Sequence, residues 1–299
     1  MDTLNKNQIL NFIKESDVKN SLHRFLIPEI DIFDCVNSTN DICMKYAKNH
    51  ICEMTNNANH IYLAISESQS SGRGRLGRSF FSPSGTGIYM SALFSKSVLS
   101  SLFKNKLHTL TPVTALCISE AIEKTLITKF SNKMKPKIKW VNDIYMNNHK
   151  VAGILTELHY PISDSSISTG EPYIIIGVGI NVYEPIEGFP DDIRNKAGSI
   201  LKKTEENFRN KLISNIFCEI SKSLLTGKTD IKTADTQLAN FVSEYKKRCF
   251  MLGKNISFNL HGVNETARAV DINQDFELIV QSPDGEFNSL NCGDVIILS

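Results

Sequence analysis

No stretch of this chain reaches the roughly 18 consecutive apolar residues that a membrane span needs. Its opening segment has no hydrophobic signal core and carries Asp2, Glu15, Asp17 and Glu29 instead. A cytoplasmic protein is therefore expected, with no membrane partner. Cysteine is present but unorganised: the seven residues are odd in number and none stands in a Cys-x-x-Cys pair. That excludes a disulfide frame and a cysteine zinc site. No internal repeat is visible, so solenoids and propellers are excluded. Negative charge is missing over a long stretch, with no carboxylate between Ser68 and Ser119. From Ser68 to Lys139, twelve Lys/Arg face only Glu120 and Glu123, which puts this segment at +10 in a chain of net charge +1 and leaves −9 to the remainder. The lysines from 129 to 139 read as a solvated face ahead of a strand. The cations near Arg73 have no neighbouring counterion in the sequence, which suits a polyphosphate ligand.

Those cations sit in Gly72-Arg73-Gly74-Arg75-Leu76-Gly77-Arg78. The spelling satisfies Gly-x-Gly-x-x-Gly, but a dinucleotide fold also needs a helix opening at the last glycine and an acid about 20 residues later. Here Ser79-Phe80-Phe81-Ser82-Pro83 follows, and the next acid is Glu120. The full Gly-x4-Gly-Lys-Ser/Thr pattern of a Walker A loop does not occur either. What remains is a glycine-rich loop that projects several guanidinium forks, each shaped for phosphate or carboxylate oxygens. Such a loop is expected to repel itself when empty and to be ordered by an anion. A basic surface loop touching nucleic acid is the plainer reading of the same residues.

Periodicity and turn residues organise the rest. Helices are expected over 4–14, from Ser38 or Thr39 as cap to about 49, from Thr109 or Thr111 to about 128 with Pro112 in the first turn, over 205–225, and over about 236–247. Strands are expected at 30–36, 61–66, 88–94, 137–140, 144–146 and 151–159, with a tight turn at Asn147-Asn148. Residues 173–180 form a β-branched run of the kind buried on both faces, and 161–171 reads as a serine-rich loop. After Cys249 short alternating strands follow at 255–260, 265–271, 276–281 and 295–298. The fold class is α+β: a mixed β-sheet with helices packed against it, plus a small C-terminal β-barrel. The corresponding division is a short N-terminal extension (1–29), a catalytic domain (30–249) and the barrel (250–299).

The loop, continued by Phe81-Ser82-Pro83 and Gly87-Ile88-Tyr89-Met90-Ser91, resembles the signature of biotin–protein ligases. Four further blocks agree with that family in order and spacing: Asn37-Ser38-Thr39-Asn40, Lys139-Trp140-Val141-Asn142-Asp143, the block from Lys150 to Glu157, and Gly177-Val178-Gly179-Ile180-Asn181. Val141 departs from the family's usual proline, Phe80 stands where tryptophan is common, and Ser70-Ser71 differs from the commoner pairs beside the loop.

The resemblance implies a class II synthetase-like core that joins biotin and ATP as biotinyl-5′-AMP, then passes biotin to a lysine of the biotin carboxyl carrier domain of a biotin-dependent carboxylase. Two anions meet in the first step, so cations must offset their repulsion. Lys150 is expected to bridge the biotin carboxylate and the α-phosphate; by position alone it is an exposed lysine at a hairpin end. Arg73, Arg75 and Arg78 would hold phosphates and close over the product. Ser38, Thr39, Asn40, Gln69 and Gly72 would meet biotin, although Ser38 and Thr39 are equally read as a helix cap. Gly153 and Ile154 would line its acyl tunnel. Phe80, Asn142 and Asn181 would contact the nucleotide. Asp143 would place Mg²⁺ or orient Lys150, while Asn142-Asp143 also reads as a turn. Trp140 is expected in a core or pocket wall, and His149 and His159 in structural roles.

Three other readings are set against this one. A lipoate- or octanoate-transferring ligase is expected to show an Arg-Arg-x-x-Gly-Gly-Gly loop, which is absent. A bifunctional repressor needs a DNA-reading domain ahead of the core, and 29 residues are too few, so no DNA binding is expected. A non-catalytic carrier-binding module would not need Lys150 and the loop arginines.

Overall fold

The computed structural model describes residues 2–19, 27–50, 60–131, 134–160, 172–225, 231–260 and 262–298. The loop expected at 161–171 and Cys52 lie outside the described residues; the other six cysteines are free. The chain runs α1 (Lys6–Lys19), β1 (Glu29–Val36), α2 (Thr39–Asn49), β2 (Ile61–Gln69), β3 (Gly87–Ser95), α3 (Leu110–Phe130), β4 (Lys137–Lys139), β5 (Asp143–Met146), β6 (His149–His159), β7 (Tyr173–Asn181), α4 (Phe208–Leu224) and α5 (Ile231–Arg248). A second set of strands follows: β8 (Asn255–Leu260), β9 (Val263–Ile272), β10 (Leu278–Gln281), β11 (Phe287–Leu290) and β12 (Val295–Ile297).

The first seven strands form one mixed sheet in the order β1-β2-β3-β7-β6-β5-β4, parallel only between β1 and β2. The period-two alternation of the strands separates its two faces. Ile61, Leu63 and Ile65 of β2, Ile88, Met90 and Phe94 of β3, and Ile174, Ile176 and Ile180 of β7 enter the main core, which also takes apolar residues of α1, α3, α4 and α5. The intervening Tyr62, Ala64, Leu93, Tyr173 and Ile175 pack with Cys43 and Ala47 of α2 on the opposite face. Helix α2 covers only part of that face. Beyond its N-terminus the alternation continues into Ser91, Gly177 and Gly179, small residues that leave room beside the sheet.

Asn147 and Asn148 both take positive φ, 49° and 65°, as a two-residue hairpin with a primed turn requires. The all-β unit at the C-terminus is an antiparallel five-stranded sheet in the order β11-β10-β9-β8-β12. It contains a strand the sequence reading passed over, Phe287–Leu290, whose burial alternates weakly. Phe276 of this unit meets both the strand region after β4 and helix α5. The Trp140 indole donates to Phe276 O at 2.8 Å, and the Phe276 ring meets Tyr245 edge-on. Of the two places expected for Trp140, the structure gives the core: it is 4% exposed and packs in the main cluster. The Trp140–Val141 peptide is cis.

The N-terminal extension, whose role the sequence leaves open, is built into the fold. Helix α1 inserts Ile9 and Ile13 into the main core. Asp2 accepts bonds from the Tyr183 hydroxyl and from the backbone and side chain of Arg209, at the start of α4.

Candidate active site

A cleft opens on the α2 face of the sheet, between the arginine loop, the β5–β6 hairpin and the turn before β12. Of the residues expected at the site, all but Gly72 and Asn181 line it.

Ser38, Thr39 and Asn40, each 3% exposed, form the buried end, where β1 turns into α2. Ser38 holds the cap position in extended conformation, but its side chain makes no capping bond. It therefore keeps the position expected of a cap without the bond that defines one. Gln69 joins this end to the loop. Its Oε1 accepts the Thr39 N–H at 2.9 Å, and its Nε2 donates to Ser82 Oγ at 3.0 Å. The buried Ser91 hydroxyl lies 2.7 Å from Thr39 Oγ1 and 2.5 Å from Asn40 Oδ1.

The loop closes on itself through Phe80 N–H to Gly72 O (2.8 Å) and Gly74 N–H to Arg78 O (2.7 Å). Gly72 sits beneath it rather than in the cleft. A Cβ there would come within 2.5 Å of Phe80 O, so glycine is required by close backbone approach. Phe80 lies over Gly179, whose Cβ would stand 2.7 Å from the ring. The second glycine of the Gly-x-Gly strand thus makes room for the loop's aromatic residue. Asn181 faces away, donating to Gly198 O at 3.1 Å.

The expected self-repulsion of the loop is met by carboxylates distant in sequence. Arg73 Nη2 pairs with Asp41 at 3.0 Å and Glu157 at 3.1 Å, and Arg78 Nη2 with Asp294 at 2.6 Å. Arg75 differs. Its Nη1 donates to Asn142 Oδ1 at 2.6 Å and its Nη2 to Gly293 O at 3.4 Å, both neutral oxygens, and among the described residues it forms no ion pair. Asn142 is fixed in turn by a bond from Nδ2 to Ile154 O at 2.9 Å. Lys150 reaches back from β6 to place Nζ 2.7 Å from Asp143 Oδ1. Asp143 is thus placed to orient Lys150. In the other role expected of it, placing Mg²⁺, Asp143 would act without a dedicated cage: among the described residues no three His, Cys, Asp or Glu converge on a cation position. His149 bonds to Asn147 O and His159 stacks on Tyr173, structural positions as expected.

Asp294, Glu157 and Asp41 were not visible as site residues in the sequence. They come from the turn before β12, from β6 and from the first turn of α2; Glu157 closes the block that begins at Lys150, but its residue type gives it no role there. Burial pushes Asp294 up, but the bond to Arg78 and the charges of Arg78, Lys139 and Arg75 outweigh it and hold the carboxyl below its ordinary value. The same bond raises Arg78. Lys139 is lowered, chiefly by burial. A lowered aspartate favours the folded state above its ordinary value near pH ~4. That contribution fades as pH falls through the lowered value. Asp294→Asn is therefore expected to lower the Tm most at neutral pH, where the contribution is fully present, and to converge with the parent in acid, which flattens the acid limb of the Tm–pH curve. Thermal melts of both proteins down to about pH 3 check this.

A family profile described as Biotin/lipoate A/B protein ligase family matches residues 32–181, half of the chain, from β1 through Asn181. The chain belongs to this family. Among curated proteins it is similar to the bifunctional ligase/repressor BirA of Bacillus spizizenii, 29% identical over 195 residues that cover 65% of this chain and 53% of that protein. It is also similar to the biotin–[acetyl-CoA-carboxylase] ligase of Mycobacterium tuberculosis, 26% identical over 138 residues, 45% of this chain and 44% of the other. The chain thus spans about half the length of these relatives. Among solved structures, the biotin protein ligase from Aquifex aeolicus in complex with biotin and ATP superposes with a TM-score of 0.64 at 22% identity, covering 90% of this chain and 98% of that one. That likeness is one of fold.

Proposed function

We propose that this chain is a biotin–protein ligase, which makes biotinyl-5′-AMP from biotin and ATP and then biotinylates a lysine of a biotin carboxyl carrier domain. The observation that carries the reading is the meeting of two kinds of group in one cleft. Lys150 and Arg75 stand at its open part, and a hydrogen-bonded polar end formed by Thr39, Asn40 and Gln69 lies at its buried part. A ligand with an uncharged polar head, an apolar stem and a carboxylate fits this order, and so do the relatives' names.

In the first step a carboxylate oxygen attacks the α-phosphorus and pyrophosphate leaves. Both reactants are anions, and a cation between them lowers the barrier by offsetting charge as it develops on the phosphate oxygens. Lys150 is held for this by Asp143, whose carboxylate keeps the ammonium in the cleft. Arg75 is the loop cation with no carboxylate partner among the described residues, so its charge is the most available to a phosphate. Arg78 is available once Asp294 yields it. Mg²⁺ ordinarily travels with ATP, bound through phosphates, waters and one or two carboxylates. Of the two carboxylates that line the cleft, Asp143 and Asp294, Asp143 stands beside Lys150 and would hold the ion, which would supply charge neutralisation there. In the second step a lysine amine attacks the acyl carbon and expels AMP. Until then the loop must keep water and stray amines from the anhydride.

Arg75→Gly is accordingly expected to release activated biotin and label bystander lysines, because the arginine tying the loop to Asn142 and Gly293 is gone. Biotinylation of a non-carrier protein, followed by avidin blotting, reads this; carrier selectivity equal to the parent's counts against it. The activity itself is tested by pyrophosphate release with ATP–Mg²⁺ and biotin, with lipoate in its place as the second arm. Release driven by biotin and not lipoate is expected. Release with lipoate alone would assign the site to the family's other substrate class.

A further inference from the structure

We infer that Glu157 is a positioning residue for the buried end of the cleft, acting on the ligand through Asn40 and Arg73. The inference rests on the reading that this end receives biotin. Glu157 does not itself line the cleft. It stands on β6 seven residues beyond Lys150, and its Oε2 accepts two bonds at once: Asn40 Nδ2 at 2.6 Å and Arg73 Nη2 at 3.1 Å. One carboxylate oxygen therefore joins the first turn of α2 to the arginine loop, two segments 33 residues apart in sequence.

The arrangement fixes what Asn40 can offer. A side-chain amide presents donors at one end and an acceptor at the other. Here the nitrogen is turned to a carboxylate and the oxygen to the Ser91 hydroxyl at 2.5 Å, so the amide has one orientation. Asn40 is 3% exposed. A Cβ on Gly177 would come within 2.3 Å of Asn40 Oδ1, so β7 leaves the amide just the space it fills. From Glu157 the bonds continue through Asn40, Ser91 and Thr39 to Gln69, a chain in which each member orients the next. Arg73 is the exposed end of the chain, 36% accessible, and Glu157 and Asp41 both pair with its Nη2.

A compact uncharged head group with one acceptor and two donors is recognised only if its partners are already aimed, since each unmet buried group costs binding. Removing Glu157 frees both the amide and the guanidinium without removing any atom that touches the ligand.

Steady-state pyrophosphate release by the full chain tests this. Glu157→Ala is expected to raise the KM for biotin roughly 10- to 100-fold, with kcat and the KM for ATP changed far less. Glu157→Gln retains an oxygen that can accept and is expected to recover part of the loss. In an Asn40→Ala background, Glu157→Gln is expected to have a much smaller effect, because the two residues act as one unit. A biotin KM unmoved in both Glu157 variants overturns the inference, as does an equal rise in both KM values or strict additivity with Asn40→Ala. If Glu157→Ala fails to fold, Glu157→Gln and its cycle with Asn40→Ala decide alone. A parent protein with no biotin-dependent release sinks the ligase reading; an active parent with unmoved variants sinks only the role of Glu157.

Discussion

Lys150→Gln is expected to slow adenylate formation by about 100- to 1,000-fold, with little change in the melting temperature. Glutamine keeps most of the stem and a hydrogen-bonding head but removes the charge. The parent ammonium stands 2.7 Å from Asp143 Oδ1 at a half-buried position, so its charge is delivered to the cleft rather than spent in bulk water. Its removal leaves the carboxylate and the α-phosphate to approach with Arg75 as the main offset. A single-turnover assay with biotin and radiolabelled ATP isolates this step from carrier transfer. A decrease of less than about tenfold would mean that Lys150 is not the bridging cation. Arg75→Gly separates the two cations in function: it is expected to damage retention of the adenylate more than its formation.

Arg209→Met is expected to destabilise the fold by about 3–5 kcal/mol. The Arg209 side chain is 3% exposed and that of Asp2 is 1% exposed. The guanidinium also donates to Glu67 Oε2 at 2.7 Å and to Gly87 O at 3.2 Å, joining α4 to β2 and β3. Removing the cation leaves a carboxylate buried with the Tyr183 hydroxyl and the Arg209 N–H as its partners. The penalty arises from breaking the pair, not from any large net gain in forming it. A variant replacing Arg209, Asp2 and Glu67 together by apolar residues is therefore expected to be less damaged than the single one. Chemical denaturation of each, compared at equal m-values, checks this. A loss below about 1 kcal/mol for Arg209→Met would show that water reaches the cluster.

The residues of the cleft differ in how far the sequence announces them. The loop arginines lie in a block whose residue types already point to anion chemistry, whereas Lys150, Asn142 and Asp143 are announced only by the resemblance of their blocks to the family. The alternation that makes β2, β3 and β7 two-faced is also local, and so is the Asn147-Asn148 turn. The counterions are another matter. The loop reads as uncompensated because Asp41, Glu157 and Asp294 lie from about 30 to more than 200 residues away in sequence, and only the folded sheet brings them within 3.1 Å of Arg73 and Arg78. The burial of Asp2 depends on α4 in the same way. Gly72 and Asn181 show the opposite case. Their motifs are plain, but one is a glycine demanded by backbone crowding and the other bonds a carbonyl outside the cleft. Strand β11 was missed because its exposed residues lack the apolar alternation that marks its neighbours.

The central claim is that an oxygen of the biotin carboxylate becomes bonded to the α-phosphorus of ATP within this cleft. Biotin labelled with ¹⁸O in both carboxylate positions, turned over with ATP and a carrier domain, tests it at the level of atoms. Mass spectrometry of the nucleotide product is expected to find AMP carrying one ¹⁸O. Unlabelled AMP, or label appearing in inorganic phosphate beside ADP, would contradict the account.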